Sequence, residues 1–216
     1  MQYADTMGER LPRSFYARHG LQVAPELLGL VLVHETPEGT TAGRIVEVEA
    51  YIGPEDRACH AFAGRRTRRN EIMWGPAGYA YVYFVYGMHY CLNVVCGEEG
   101  TPHAVLIRGM EPVLGLDLMA SRRGFVPPSS SPLPRFLHML AAGPGRLCQA
   151  MGITTAQNGT DLVTGPLYLV TGKPCSAHEQ PPAVACGPRI GIGYAGEAQA
   201  YPWRFYIPGS PGVSNP

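Results

Sequence analysis

Two stretches of the chain bear residue types at spacings that could do chemistry together. In the run Thr41 to Tyr51, Val46, Val48 and Ala50 alternate with Glu47, Glu49 and Tyr51. A strand's period of two sends the first set towards a core and leaves Glu49 and Tyr51 side by side on the other face. Further on, Tyr79, Tyr81 and Tyr83 share one face, with Val82 and Phe84 opposite. If the Glu49 face meets the Tyr83 face, with His60 from the loop between them, one carboxylate sits in an aromatic slot. Such a slot suits a flat heterocycle, because every base has a π-face and stacking contributes ~1–3 kcal/mol per base. The carboxylate suits activation of a water molecule as a general base. Each residue alone says little: a strand glutamate is ordinarily solvated, and strand tyrosines ordinarily cover a core or a sheet face.

A second feature is cationic. Arg57, Arg65, Arg66, Arg68 and Arg69 precede Asn70 with no carboxylate among them. A solvated basic loop is the bland account of such a run; a local phosphate-binding patch is the sharper one. Whole-chain charge does not choose between them, because 17 basic residues balance 17 acidic ones. Lys173 is the only lysine, and it precedes Pro174 in a turn-like stretch, so candidates for a Schiff-base amine are few. Cys59, Cys91, Cys96, Cys148, Cys175 and Cys186 form no CxxC pair, and no histidine pair has ligand spacing. The chain is therefore expected to hold reduced structural thiols and no metal or cofactor. The HxE and PCxxC elements of a zinc deaminase are absent.

These residues must be positioned by turns and short strands, since 27 glycines and 21 prolines disfavour long helices. Leu30 to His34 and Thr41 to Tyr51 read as one hairpin around Pro37-Glu38-Gly39. Tyr79 to Val85 and His89 to Cys96 read as another, joined by Tyr86-Gly87-Met88. Ala104 to Arg108, Leu167 to Val170, Arg189 to Ile192 and Arg204 to Ile207 are the further strand candidates. Helices are expected over Ala24 to Leu28, Glu111 to Arg123 and Pro144 to Gly152, each closed by or ending at a glycine. The expected fold class is α+β: a single domain over 1–216, mainly an antiparallel curved sheet with short helices. Residues 126–135 read as a Pro/Ser-rich surface loop, and 1–19 and 208–216 as mobile ends. No apolar run is long enough to span a bilayer, and the start MQYADTMGER lacks signal-peptide features. A cytoplasmic protein of bacterial type is expected.

The wording of the motifs is more specific than their periodicity. The run Gly43-Arg-Ile-Val-Glu-Val-Glu-Ala-Tyr-Ile-Gly-Pro-Glu-Asp-Arg-Ala-Cys-His60 strongly resembles the alkyladenine (3-methyladenine) DNA glycosylase family. Matches continue in order through Arg65-x-Thr67-x-Arg69-Asn70, Gly78-x-x-Tyr81-Val-Tyr83-x-x-Tyr86-Gly-Met88 and Cys91-x-Asn93. They end with Val105-Leu-x-Arg108-x-x-Glu-Pro112, Gly143-Pro-x-x-Leu147-Cys-Gln-Ala150, Arg189-x-Gly-Ile-Gly193-x-Ala-Gly196 and Arg204-Phe-Tyr206. The likeness runs from about residue 20 to residue 214, and departs at His89, in the loop 97–102 and at Gly212.

The resemblance implies a monofunctional enzyme that flips a damaged purine from double-stranded DNA and hydrolyses its N-glycosidic bond. It implies Glu49 as the base that activates water, with Arg108 and the Ile192 carbonyl holding that water. It implies Tyr51, His60, Tyr83, Asn93 and Leu106 as the base pocket, with Asn93 crowding the exocyclic amine of guanine. Tyr86, with Met88 beside it, would enter the minor groove from a protruding hairpin, a wedge role that suits a hairpin tip. Arg65, Arg66, Arg68, Arg69 and Arg146 would face the DNA backbone, and the protein would act as a monomer. A non-catalytic DNA-binding module and a free nucleoside hydrolase are the other classes. The first has no use for Glu49 with Arg108, and the second has none for the arginine cluster and the wedge.

With no net charge, DNA affinity must come from a local patch. The expected slope of log affinity against log salt is therefore modest. Neutralising Arg65, Arg66, Arg68 and Arg69 should weaken binding and flatten that slope by roughly one for each phosphate no longer neutralised. Unchanged affinity in a salt titration of the neutralised variant would remove the patch from the account.

Overall fold

The longest strand is the axis of the sheet, because it is hydrogen-bonded along both edges. The computed structural model describes residues 7–127, 133–172 and 183–215. Lys173, Cys175 and half of the Pro/Ser-rich loop, residues 128–132, lie outside that range, as do residues 1–6 and 216. In chain order come β1 (Met7–Arg10), α1 (Arg13–Tyr16), α2 (Gly20–Glu26), β2 (Val31–Thr36), β3 (Gly39–Ile52), β4 (Ala80–Val85) and β5 (His89–Cys96). There follow β6 (His103–Leu114), α3 (Leu116–Arg122), α4 (Pro134–Ala141), α5 (Pro144–Met151), β7 (Leu167–Gly172), β8 (Ala185–Gly187) and β9 (Arg204–Tyr206).

The strands form one open antiparallel sheet in the order β1-β7-β2-β3-β6-β5-β4. The first half of β3 pairs with β2; beyond it, β9 takes the same edge at Glu47–Glu49 and carries β8 on its far side. The opposite edge of β3 pairs with β6. With its few short helices the architecture is α+β. One face of the sheet packs against α2, α3 and α5 through Leu27, Leu32, Ile45, Val48, Leu92, Ile107, Met119 and Leu147, all fully buried. Each such side chain contributes ~1.5–3 kcal/mol of transfer free energy. Helix α5 starts at Pro144 and stops at a left-handed Gly152, as its sequence signals. No helix among the described residues is long and apolar enough to cross a membrane.

The β3–β6 ladder contains three bulges, one at Val113 and two at its centre that compensate each other. Ile45 faces Met110 and Glu47 faces Gly109, so Val46 is extra on β3; Val48 faces Ile107, so Arg108 is extra on β6. A bulge bends its strand and re-aims side chains. Ile45 and Val48 consequently both face the main core, whereas the buried Val46 meets Gly212 instead. Strict alternation places Val46 with Val48 and Ala50; the bulge breaks that phase.

Other differences from the sequence reading have similar causes. Glu111 to Leu114 continue β6 rather than beginning a helix, because β3 offers partners to Glu111, Pro112 and Leu114. Pro112 is tolerated there because this end of β6 pairs with no second strand. Helix α3 begins only after the left-handed Gly115. The first long helix starts at Gly20 rather than Ala24, since the His19 ring caps it by accepting from the Leu21 amide. Arg189 to Ile192 form a loop; the strand lies earlier, at β8. Helix α4 has no counterpart among the expected helices. At the ends, β1 pairs with β7, Tyr16 is fully buried, and Val213 is buried against the sheet.

His103 gives the fold a pH dependence. Its Nδ1 accepts from the Gly20 amide at 3.4 Å, which requires a neutral ring. Burial first, and the facing His19 second, push its pKa down from 6.5 to about 4. The unfolded chain therefore takes up this proton at higher pH than the folded one. Unfolding free energy from urea titrations should be flat above pH 6.5 and fall between pH 6.5 and about 4, by on the order of 3 kcal/mol from this group. His103→Gln should remove that share of the slope, and an unchanged slope in the variant would refute the assignment.

Candidate active site

Glu49 has no solvent exposure, and every oxygen of its carboxylate is partnered. Its Oε1 accepts from the Ile190 amide at 2.7 Å and lies 3.3 Å from Arg108 Nη1; its Oε2 accepts from the Tyr51 hydroxyl at 2.8 Å. The bulge on β6 delivers the guanidinium between two carboxylates, so Arg108 Nε also donates to Glu47 Oε1 at 3.2 Å. Arg204 on β9 donates to the same Glu47 oxygen at 2.7 Å. Glu47, Glu49, Arg108 and Arg204 thus form a buried cluster with two charges of each sign. Burial works against the charge on Arg108, but Glu49 and then Glu47 outweigh it and raise its pKa. Burial foremost, then the Glu49 charge, holds the Tyr51 phenol well above its usual range, so it remains a donor.

The loop that presents Ile190 is clamped by a second buried pair. Arg189 binds Asp56 through both terminal nitrogens, at 2.5 and 2.8 Å, and donates to the Ala50 carbonyl at 2.8 Å. Its guanidinium also lies over the rings of Tyr51 and Trp203. Asp56 in turn accepts from the amides of Ile52 and Ala58. Asp56, Arg189, Glu47, Arg204 and Ile190 are not singled out by the sequence, although all lie within the quoted motifs. Ile192 packs behind Tyr51 with Ala58, Ala195 and Ala198, and its carbonyl accepts from Ala195 N at 2.9 Å. Of the two isoleucines it is Ile190 that touches the carboxylate.

Beyond Tyr51 opens a cleft of about 340 Å³, counting its mouth. Tyr51, His60, Tyr83 and Asn93 line it as the sequence suggested, together with Cys59, Met73, Tyr81 and Tyr194. Leu106 is not on the wall; it lies beneath, opposite Glu49 on one side and Asn93 on the other. The His60 ring stands edge-on to Tyr83 with centroids 4.7 Å apart, and its Nδ1 pairs with the Tyr81 hydroxyl at 2.8 Å. Burial, then the charges of Arg69 and Arg65, lower the His60 pKa to about 4, so the ring is neutral at pH 7. Asn93 donates to the Tyr81 carbonyl at 3.1 Å, which fixes its amide. Tyr194 is 68% exposed at the mouth and donates to the Ala58 carbonyl.

Tyr86 and Met88 are the most exposed large hydrophobic side chains of the β4–β5 hairpin, at 78% and 69%. Tyr86 and Gly87 both have positive φ, 54° and 68°, the backbone of a tight primed turn. A tyrosine there is strained by ~1–3 kcal/mol, a kind of strain that clusters at functional sites. Arg65, Arg66, Arg68 and Arg69 are all exposed on one loop, which Asn70 shapes by donating to the carbonyls of His60 and Arg65. Arg66 is tied to Glu71 at 2.5 Å, and Arg69 lies over the Tyr83 ring. Arg146 is exposed elsewhere, in the first turn of α5, where Gly145 abuts His89.

The open antiparallel sheet thus carries an aromatic cleft backed by a buried acid–arginine cluster. The family model described as methylpurine-DNA glycosylase (MPG) matches residues 14–211, and the chain belongs to that family. Among similar proteins, one from Methanocella arvoryzae is 50% identical over 94% of this chain and 95% of its own. Another from Clostridium acetobutylicum is 48% identical over 95% and 97%, and one from Bacillus subtilis 47% identical over 94% and 96%. Each is provisionally named a 3-methyladenine DNA glycosylase.

The clamp on the Ile190 loop is testable by stability. Asp56→Asn leaves Arg189 buried without its counter-charge and should lower the unfolding free energy by about 3 kcal/mol. A urea-unfolding midpoint within error of wild type would show that the pair does not hold the loop.

Proposed function

We propose that this protein is a monofunctional glycosylase of alkylated and deaminated purines in duplex DNA, with water activated by Glu49. The observation that carries the reading is the fully buried Glu49 carboxylate, held by Arg108, Ile190 and Tyr51 directly behind the aromatic cleft. Breaking an N-glycosidic bond builds positive charge on the sugar as the base leaves. A carboxylate fixed in a dry site can stabilise that charge and accept a proton from the attacking water. Extruding the base costs a few kcal/mol, less where pairing is already weak, which favours damaged purines before the pocket reads them. Stacking on Tyr51, His60 and Tyr83 offsets the remainder, and Tyr86 on its strained turn suits the gap left in the stack.

The walls bear on which bases can leave. A purine methylated at N3 or N7, such as 3-methyladenine or 7-methylguanine, is already cationic and needs no acid. Hypoxanthine and ethenoadenine are neutral and need protonation, most simply at N7. Neutral His60, with its pKa near 4, is a poor acid at pH 7, and burial raises the phenols of Tyr81 and Tyr83. A water molecule is the remaining proton source. The sequence offers Lys173 alone as a Schiff-base amine, which favours hydrolysis to an abasic site over strand cleavage.

Excision from a duplex carrying one hypoxanthine or ethenoadenine tests the reading, with strand scission scored before and after alkali. Cleavage should appear only after alkali, and Glu49→Gln should lower the rate about 10²–10⁴-fold. Scission without alkali would overturn the monofunctional assignment. Binding without excision by both forms, on methylated as well as deaminated lesions, would leave a DNA-binding module.

A further inference from the structure

The family match ends at Pro211, yet the residues just beyond it reach into the buried charge cluster. Each nitrogen of the Arg108 guanidinium has a different partner. Nε donates to Glu47 at 3.2 Å, Nη1 faces Glu49 at 3.3 Å, and Nη2 donates to the Ser214 hydroxyl at 3.3 Å. The Ser214 amide donates to Glu47 Oε2 at 2.7 Å, the one Glu47 oxygen that neither arginine takes. Arg204 donates to the Asn215 carbonyl. The tail therefore touches three of the four charged members of the cluster.

Its path is set by close backbone contact. A Cβ on Gly109, beside the bulged Arg108, would lie 2.1 Å from the Gly212 carbonyl oxygen. A Cβ on Gly212 would lie 2.7 Å from the Met110 carbonyl. Only a glycine on each side lets the tail cross β6 at the bulge. Val213 is then buried, and Ser210 ties the approach down through Glu111 at 2.6 Å.

We propose that Ser214 is a positioning residue for the reaction: its hydroxyl aims the Arg108 guanidinium so that Nη1 stays on Glu49. Glu47 competes for the same cation, and a carboxylate can take two nitrogens of one guanidinium side by side. The Ser214 amide occupies Glu47 Oε2, and its hydroxyl holds Nη2, so that bidentate arrangement is blocked. Without the hydroxyl the guanidinium is free to turn towards Glu47, and Glu49 loses its cation. Among the described residues none of this tail lines the aromatic cleft, so binding of damaged DNA is left as it is.

The inference rests on the glycosylase reading for its kinetic consequence but not for its geometry, and two measurements separate them. In single-turnover excision, Ser214→Ala should lower the rate of the chemical step about tenfold with DNA affinity unchanged, and Ser214→Thr, which keeps the hydroxyl, should recover most of it. Independently of activity, arginine side-chain NMR should show the Arg108 Nε–H slow to exchange in the wild type and in Ser214→Thr, and altered in Ser214→Ala. An Ala variant as fast as wild type, a loss confined to DNA affinity, or a loss that threonine does not repair would overturn the proposal. A wild type without excision whose Arg108 signal still responds to Ser214→Ala would keep the positioning role and sink the glycosylase reading.

Discussion

Two carboxylates buried away from bulk solvent are the constraint around which this structure is arranged. An ion moved into a protein interior loses several kcal/mol of hydration, and its partners repay this only with good geometry and with every lone pair engaged. Glu47 and Glu49 meet that demand from four parts of the chain: β6 supplies Arg108, β9 supplies Arg204, the 189–190 loop supplies an amide, and the tail supplies another. The paired bulges follow from it. Opposite an unbroken β3, residue 108 would pair directly with Glu47; as an extra residue it stands between Glu47 and Glu49 and serves both. Short β9 has the same logic, since its pairing with Glu47 to Glu49 brings Arg204 under the cluster and closes the β3 edge that β2 leaves open.

The cleft next to this cluster is built to stay uncharged. Burial raises the phenols of Tyr51, Tyr81 and Tyr83, and burial together with Arg69 and Arg65 keeps His60 neutral. The arginines that suppress the His60 charge are themselves outside, one of them on the outer face of Tyr83. The slot therefore offers π-faces without a cation among its walls. For a flat ring that carries positive charge this is favourable twice, through attraction to the aromatic faces and through the lack of a protonated imidazole to repel it.

Short-range pattern was legible in the sequence; long-range closure was not. The period of two placed Glu49 and Tyr51 together, the aromatic hairpin placed Tyr81 and Tyr83 opposite, and Tyr86-Gly87-Met88 read as a tip. Periodicity cannot see a bulge, because an extra residue on each of two strands restores the count, and so it puts Val46 on the wrong side. Nor can it see Asp56 with Arg189, which are 133 residues apart and meet only when the loop folds over β3. The family motif gave the loop after Arg189 a role in the site, but its period does not tell which peptide of Arg189-x-Gly-Ile touches the carboxylate. The helix expected over Glu111 to Arg123 lost its first residues, Glu111 to Leu114, to β6 for a related reason: local propensity is weak beside a ready strand partner.

The arginine usage, puzzling in a chain without net charge, becomes orderly once partners are assigned. Arg108, Arg189 and Arg204 are buried with carboxylates, while Arg13, Arg18, Arg66 and Arg122 pair at the surface with Asp161, Glu26, Glu71 and Glu38. Among the described residues no carboxylate lies within ion-pair distance of Arg65, Arg68 or Arg69, which stand together beside the cleft mouth. They form an exposed cationic stretch, and the exposed Phe84, Tyr86 and Met88 lie next to it on an apolar hairpin. Under the proposed function such a surface would hold DNA through few phosphates and add affinity mainly when an aromatic wedge enters the stack and a ring enters the cleft. Discrimination would then fall on extrusion and stacking, the steps at which a weakly paired purine differs from a sound one, and not on the strength of the charge attraction, which is the same for both.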